Sequence, residues 1–158
     1  MRHLFKGGLL IDTNLLVLFV VGTAAKEYIA KHKKLTEFTV EDYDLLVKLI
    51  ARASEVLVTP NTLTETSNLA AYIGEPARSK VMDVLRTVSI DSQERYVPSS
   101  AAARRSEFIR LGLADAALLE ATAAEKVTLL TADFNLYHAA LAKGNQALNF
   151  NHLRDRYM

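Results

Sequence analysis

Four acidic side chains lie at positions where a parallel α/β sheet would bring them together. They are, in chain order, Asp12, Glu65, Asp115 and Asp133. The first and last come after apolar stretches, residues 9–11 and 127–131, that are typical of buried strands. The other two lie near the starts of predicted helices. Because the carboxyl ends of parallel strands share one sheet edge with the amino ends of the helices that follow, we expect the four carboxylates to meet there.

Carboxylates crowded in this way repel one another, and this repulsion predicts that a hard divalent cation joins them. Oxygen ligands of this kind suit Mg²⁺ or Mn²⁺. Such ions activate water and stabilise the charge that builds on a phosphoryl oxygen. The acidic set therefore predicts the metal-dependent hydrolysis of a phosphodiester bond.

Each acid also has a purely structural interpretation. Asp12 and Asp133 are suited to cap the helices that follow them, because Asp is favoured at that position. Asp115 would be stabilised by the dipole near a helix amino terminus. Glu65 lies one turn into its predicted helix and is equally compatible with simple solvation.

Two polar neighbours of these acids, Asn14 and Thr131, are weaker candidates for the site. Their side chains are suited to hydrogen-bond a carboxylate or a metal-bound water, a contact that holds metal ligands in place. The same side chains also favour turns and helix caps. Both interpretations stay open from the sequence.

The elements that must position these residues alternate between strands and helices. Strands are predicted at residues 9–11, 56–58, 88–90, 127–131 and 147–150. Helices are predicted at 14–21, 24–34, 39–53, 62–73, 76–85, 101–111, 114–126 and 134–143, with a loop or helix start at 92–98. Gly22 is expected to break or bend the first helix, and Thr39 and Asp42 have the spacing of a capping box. This alternation predicts an α/β fold with a mainly parallel sheet.

The composition is that of an ordinary soluble protein. The 158 residues are expected to form a single domain, 1–158, with its core at about 9–150 and a polar tail at 151–158. The absence of cysteine excludes disulfides, thiolate catalysis and zinc–thiolate sites. The net charge is +1, so any basic surface must be local; residues 31–34 and 104–105 are the candidates, and Arg105 is expected to be exposed.

The apolar run at residues 9–21 is too short for a membrane helix and is interrupted by Asp12 and Asn14. We therefore expect no membrane association and a cytoplasmic location. Residues 15–21 are too apolar to face water, so they are predicted to lie in the core or in a subunit interface.

Taken together, the acidic segments resemble the four acidic motifs of PIN-domain ribonucleases, in the same order and with similar spacing. The matching segments are Ile11-Asp12-Thr13-Asn14, Thr64-Glu65-Thr66, Leu113-Ala114-Asp115-Ala116 and Leu130-Thr131-Ala132-Asp133. The resemblance spans about residues 9–150. The helical region 24–53 is longer than the compact members need, and 91–100 is hard to align.

The resemblance implies a PIN-like three-layer α/β/α sandwich with about five mainly parallel strands. It also implies a ribonuclease dependent on Mg²⁺ or Mn²⁺, and we expect an endonuclease. Asp12 and Asp133 would be the principal ligands, with Glu65 and Asp115 completing the site. Small family members are commonly toxins, which implies an RNA substrate, a homodimer and an antitoxin partner.

Two other functions compete with this hypothesis. A phosphatase with an aspartate nucleophile typically needs a second Asp two residues after the first, where this chain has Asn14. A non-catalytic PIN-like module would bind RNA or a protein without cutting. The presence of all four acids favours the nuclease.

Overall fold

Five parallel strands form a single sheet. The computed structural model describes residues 5, 7–124 and 127–157. The strands are β1 Gly8–Ile11, β2 Glu55–Val58, β3 Gln93–Glu94, β4 Val127–Thr131 and β5 Ala147–Asn149. Their order across the sheet is β3-β2-β1-β4-β5, and every neighbouring pair is parallel. The predicted α/β class with a parallel sheet is confirmed.

Helices cover both faces of the sheet and make a three-layer sandwich. They are α1 Thr13–Ala24, α2 Val40–Arg52, α3 Pro60–Ala70, α4 Ala77–Asp91, α5 Ser99–Ala103, α6 Phe108–Leu111, α7 Leu113–Ala124, α8 Phe134–Ala142 and α9 Phe150–Tyr157, with a 3-10 helix at Lys26–Lys31. One apolar cluster joins the sheet to helices α1, α2, α4 and α9. A second cluster joins the opposite face to α7 and α8.

Strand β1 is buried on both faces, which explains its apolar sequence without polar alternation. Leu9 and Ile11 belong to the first cluster, and Leu10 belongs to the second. Successive side chains of a strand point to opposite faces, so a central strand needs apolar residues at every position. Asp12 follows as the first residue beyond the strand, at the carboxyl edge of the sheet.

The apolar residues of α1 lie in the core of a single chain, which is one of the two alternatives predicted for residues 15–21. The residues Leu15, Leu16, Val17, Leu18, Val20 and Val21 are each at most 1% exposed. They therefore leave no apolar stripe in need of a subunit interface, and a homodimer stays a prediction that depends on the resemblance alone. Among the described residues, no helix is both long and apolar enough to cross a membrane.

The prediction that Gly22 breaks the first helix is wrong. Helix α1 continues to Ala24, and Gly22 is buried within it. A Cβ at this position would collide with the ring of Tyr43 in α2. Glycine is therefore needed for the close approach of two helices rather than for a turn.

Two predicted elements in the first half of the chain differ in the structure. Residues 24–34 do not form an amphipathic α-helix; the regular part is the 3-10 helix Lys26–Lys31, which buries Tyr28 and Ile29. Residues 88–90 lie in α4 rather than in a strand, because the helix continues for 15 residues with Val81 and Leu85 against the core. The third strand is β3, whose two polar residues carry no strand pattern and pair through their backbone with β2.

The predicted helix 101–111 is divided into α5 and α6. Arg105, expected to be exposed, lies between them with only 14% of its side chain exposed. It donates a 2.7 Å hydrogen bond to Glu120 and lies 3.3 Å from Glu107. Two acidic partners stabilise the buried guanidinium, and Arg105 is therefore unavailable to a phosphate.

The predicted polar tail is instead helix α9, which packs on the core through the buried Leu153. Arg154 in this helix donates 2.6 Å and 3.0 Å hydrogen bonds to Asp42 and to the carbonyl of Glu37. Asp42 is fully buried and forms the predicted capping box with Thr39. The local sequence of the last helix does not predict this contact, because the partners of Arg154 lie more than 100 residues away in the chain.

Candidate functional site

Asp12 lies at the end of the central strand and is only 5% exposed. Its Oδ1 accepts a 2.7 Å hydrogen bond from the backbone N–H of Thr13, and its Oδ2 accepts one of 2.6 Å from the Thr131 hydroxyl. Burial raises the pKa of Asp12 to about 6, and the two hydrogen bonds oppose that rise. Repulsion from Asp133 and Glu65 adds to it. The two hydrogen bonds thus hold the carboxylate in one orientation, and its charged form is disfavoured by burial and by repulsion from neighbouring acids.

Asp115 lies in the first turn of α7 and is half-buried. Burial, followed by repulsion from Asp12, Asp133 and Glu65, raises the pKa of Asp115 to about 7. No described residue donates a hydrogen bond to its carboxylate to offset this rise. Asp115 therefore lies near enough to the other three acids, at the carboxyl edge of the sheet, for their charges to raise its pKa.

Glu65 reaches this edge from α3, where its side chain is exposed. Its Oε1 accepts a 2.7 Å hydrogen bond from the hydroxyl of Thr13, which is itself buried. The sequence analysis does not single out Thr13 as a site residue. The one feature that could have indicated this role is its position directly after Asp12. The contact ties an acid of α3 to the first residue of α1.

Asp133 follows β4 and caps α8, because its Oδ1 accepts a 2.9 Å hydrogen bond from the backbone N–H of Leu136. Its own N–H donates a 2.9 Å hydrogen bond to the hydroxyl of Thr131. Asp12 likewise caps α1 through Thr13. The capping interpretation therefore holds for both acids, and each is also a member of the acidic cluster.

The two weaker candidates have different outcomes. Thr131 bonds the Asp12 carboxylate, as predicted. Asn14 is exposed and makes no hydrogen bond with any described residue. A contact between Asn14 and a metal-bound water stays a prediction.

The donor chemistry of the cluster fits a hard cation, although the described residues contain no group of three Asp, Glu or His side chains already converged as metal ligands. Mg²⁺ usually takes only one or two protein carboxylates and retains several waters, so a wider arrangement can suffice. No described donor engages the Asp115 carboxylate, so both of its oxygens are available to a cation or to a water. A cation there would favour the charged forms of Asp12 and Asp115, whose pKa values are raised first by burial and then by repulsion from neighbouring acids.

A cleft of about 370 Å³ opens beside the cluster, between the amino-terminal turns of α3 and α7. It is lined by Pro60, Asn61, Thr64, Glu65, Leu113 and Ala114. A larger cavity of about 530 Å³ lies among α1, α2 and α4, but none of the four acids lines it. Of these two cavities, the smaller is the one lined by an acid of the cluster.

Comparison with known proteins leaves the family open. No protein-family model matches the sequence, and no curated protein matches it significantly. Among solved structures, the chain is similar to a domain of a functionally unknown protein from Methanocaldococcus jannaschii, with 17% identity, a TM-score of 0.47 and 91% of each chain covered.

Proposed function

We propose that this protein is a PIN-type ribonuclease dependent on Mg²⁺ or Mn²⁺, and that it cleaves RNA internally. The observation that supports the proposal most is the meeting of Asp12, Glu65, Asp115 and Asp133 at one sheet edge, where repulsion helps to raise the pKa of two of them. Such a group of oxygen donors is unfavourable alone and suited to a divalent cation. The order of the four motifs along the chain supports RNA as the substrate.

Each acid has a defined part in the proposed reaction. Asp12 and Asp133 would hold the cation, with Glu65 and Asp115 completing the site. A cation held there would supply activation of a water and stabilisation of charge on the phosphoryl oxygens. Asp115, which no described donor engages, could take a proton from the attacking water.

Two threonines hold the acids in position for this work. Thr131 orients Asp12 through its hydroxyl, and Thr13 does the same for Glu65. The hydrogen bond from Thr131 to Asp12 is buried and is therefore protected from competing water, whereas the one from Thr13 to the exposed Glu65 is only partly buried.

The biological setting belongs to the same proposal. A small PIN-type nuclease of this kind fits a cytoplasmic toxin that acts as a homodimer and is held inactive by an antitoxin. The support for this setting is the resemblance of the motifs alone. The apolar residues of α1 do not add support for a homodimer, because they are buried in the core of one chain.

The direct test is cleavage of an RNA blocked at both ends, in Mg²⁺, Mn²⁺ or EDTA. We expect internal cuts with either metal and none with EDTA, and a loss of at least about a hundredfold in Asp12→Asn or Asp115→Asn, the order of effect seen when a main catalytic group is removed. Asp83→Asn is the matched control, because Asp83 is an exposed acid of α4. Full cleavage in EDTA would disprove the metal dependence, full cleavage by Asp12→Asn would disprove a site built on Asp12, and no cleavage by the parent under any of these conditions would contradict the nuclease.

The alternative is a non-catalytic PIN-like module that binds RNA or a protein. It is favoured by the hydrogen bonds that already engage oxygens of Asp12 and Asp133, and by the absence of a converged metal-ligand group among the described residues. A module of this kind would bind RNA equally well in EDTA and in Mg²⁺, and would leave it intact after prolonged incubation.

A further inference from the structure

The turn that carries Asp133 is bonded to a residue of the last helix. Asn151, in α9, donates a 3.1 Å hydrogen bond from its side-chain amide to the backbone carbonyl of Ala132. Ala132 lies between Asp133 and Thr131, whose hydroxyl bonds Asp12. Among the described residues, no other group donates a hydrogen bond to this carbonyl. The Asn151 amide therefore ties the backbone of the turn to α9.

The sheet register brings Asn151 to this turn. Strands β4 and β5 pair so that Thr131 lies opposite Asn149, the last residue of β5. The side chain of Asn149 accepts a 2.9 Å hydrogen bond from the backbone N–H of Asn151. Phe150, between them, is fully buried and packs edge-on against the ring of Phe38. The first turn of α9 is thus fixed beside the turn that follows β4.

The other end of the Asn151 amide is engaged as well. Its Oδ1 accepts a 3.4 Å hydrogen bond from Arg154, three residues further along α9. The same guanidinium bonds the buried Asp42 of α2. A side-chain amide has a donor end and an acceptor end, and here each end has its own partner. The contact with Ala132 is therefore part of a hydrogen-bonded chain that begins at Asp42.

The position of the Asp133 carboxylate depends on this turn. Its Oδ1 accepts a hydrogen bond from the N–H of Leu136, and its own N–H donates one to the hydroxyl of Thr131. No described donor engages its Oδ2, which remains open to a ligand. Because Oδ1 is bonded to α8, the place of Oδ2 follows from the backbone of the turn.

We propose that Asn151 is a positioning residue for the acidic cluster: its amide holds the turn from Thr131 to Asp133, and so sets how tightly the cluster binds its cation. This inference rests on the proposed function in taking the cluster as a cation site. Asn151 acts through the turn and is not itself a ligand. Groups that hold metal ligands in place typically contribute about tenfold to a hundredfold to metal affinity.

Amide hydrogen exchange, followed by NMR in EDTA, measures the positioning without any metal. We compare the exchange rate of the Asp133 N–H with the rates of the β4 amides. In Asn151→Ala this ratio should rise about fivefold or more, the factor that corresponds to the usual net contribution of one hydrogen bond. Leu153→Ala is the control, because it removes a buried contact of α9 and keeps the Asn151 amide. It should leave the ratio unchanged.

The Kd for Mn²⁺, from isothermal titration calorimetry, measures the effect on the cluster. We expect Asn151→Ala to raise this Kd about tenfold, the lower end of what the loss of a group that orients a metal ligand produces. Leu153→Ala should bind Mn²⁺ like the parent. In cleavage assays, Asn151→Ala should reach the rate of the parent at saturating Mn²⁺, because its defect is in affinity.

The outcomes separate this inference from the proposed function. If Asn151→Ala matches Leu153→Ala in both the exchange ratio and the Kd, Asn151 only anchors α9, and the inference is overturned whether or not the protein cuts RNA. Weaker Mn²⁺ binding by Asn151→Ala, with no cleavage by the parent, supports the inference and contradicts the nuclease. A parent that binds no Mn²⁺ contradicts the proposed function, and the exchange of Asp133 in EDTA still supports or overturns the positioning of the turn.

Discussion

The hydroxyl group of Thr131 donates a 2.6 Å hydrogen bond to the carboxylate of Asp12, although the two residues are 119 positions apart in the chain. The same hydroxyl accepts a 2.9 Å hydrogen bond from the backbone N–H of Asp133. One side chain at the end of β4 therefore connects two of the four acids of the cluster. It lowers the electrostatic cost of keeping Asp12 charged, because a hydrogen bond to a carboxylate favours its ionised form.

Replacing this hydroxyl by a methyl group, in Thr131→Val, should destabilise the protein by about 1–3 kcal/mol, the usual cost of leaving a buried acceptor without its donor. It should also raise the pKa of Asp12 further, since the Thr131 hydrogen bond lowers it. Urea unfolding at pH 8 in EDTA measures the first effect. NMR titration of the Asp12 carboxyl measures the second.

Thr128→Val is the control for this substitution. Thr128 lies on the same strand and is buried, but its hydroxyl makes a longer, 3.3 Å bond to the neutral amide oxygen of Gln146. We expect a smaller loss of stability and no change in the Asp12 titration. If the two substitutions reduce stability equally and leave the same Asp12 pKa, the hydrogen bond from Thr131 to Asp12 contributes no more than the one from Thr128 to Gln146.

The contribution of Asp12 and Asp115 to the stability of the metal-free protein should fall as the pH rises from about 4 to about 7, whereas burial lowers the pKa of His32, which acts in the opposite direction below its usual value of 6.5. Asp12 and Asp115 have pKa values of about 6 and about 7 in the folded state, raised from 3.8. Between those limits the folded state binds more protons than the unfolded state, so raising the pH favours unfolding. The contribution of these two groups levels off above pH 7. Denaturant unfolding in EDTA from pH 4 to pH 8 measures the trend.

The variant Asp115→Asn isolates this effect from the titration of other groups. Its stability relative to the parent should increase as the pH rises, because the variant no longer has a carboxylate that is forced to ionise among three others. Two stability curves that remain parallel from pH 4 to pH 8 would contradict the raised pKa of Asp115.

Divalent metal should stabilise the parent against heat and stabilise Asp12→Asn and Asp133→Asn much less. A ligand that binds only the folded state contributes about 2.7 kcal/mol at a hundred times its Kd. Without metal, each variant should melt at the temperature of the parent or higher, because neutralising one acid relieves repulsion and Asn still caps a helix. Thermal melts in EDTA and in excess Mg²⁺ or Mn²⁺ measure both effects.

Asp83→Asn serves as the control in these melts, and we expect it to gain as much from metal as the parent does. If metal shifts the parent and all three variants equally, the acids do not form a common cation site. The proposed nuclease would then lose its physical basis.

The contact between Arg154 and Asp42 should make a large contribution to stability. Asp42 is fully buried, and one of its oxygens accepts the 2.6 Å hydrogen bond from Arg154. Arg154→Met would leave a buried charge without its partner, at a cost of about 3–5 kcal/mol in the free energy of unfolding. Urea unfolding measures this loss.

The double variant Arg154→Met/Asp42→Asn tests the reason for that loss. Asn retains an oxygen for the capping box with Thr39 but carries no charge, so the double variant should recover part of the stability. A double variant as unstable as Arg154→Met alone would mean that packing of the arginine, rather than the buried charge, accounts for the loss.

The sequence by itself determined the central strand and the edge at which the acids lie. Residues 9–11 are apolar at every position, as a strand buried on both faces requires. The carboxyl ends of parallel strands then follow from chain direction, which places Asp12 and Asp133 at one edge. The capping box of Thr39 and Asp42 was equally predictable, since its partners lie three residues apart. These features depend on local pattern and on strand direction alone.

Only the tertiary structure decided which side chains touch at that edge. The bonds from Thr13 to Glu65 and from Thr131 to Asp12 join residues 52 and 119 positions apart, and no local pattern specifies such pairs. The two-residue strand β3 is defined by backbone pairing with β2 and has no apolar periodicity of its own. Arg105 is buried because acidic partners surround it, although an arginine in a helical segment is usually solvated. In each case the deciding energy belongs to a contact between distant segments, which exists only after the chain has folded.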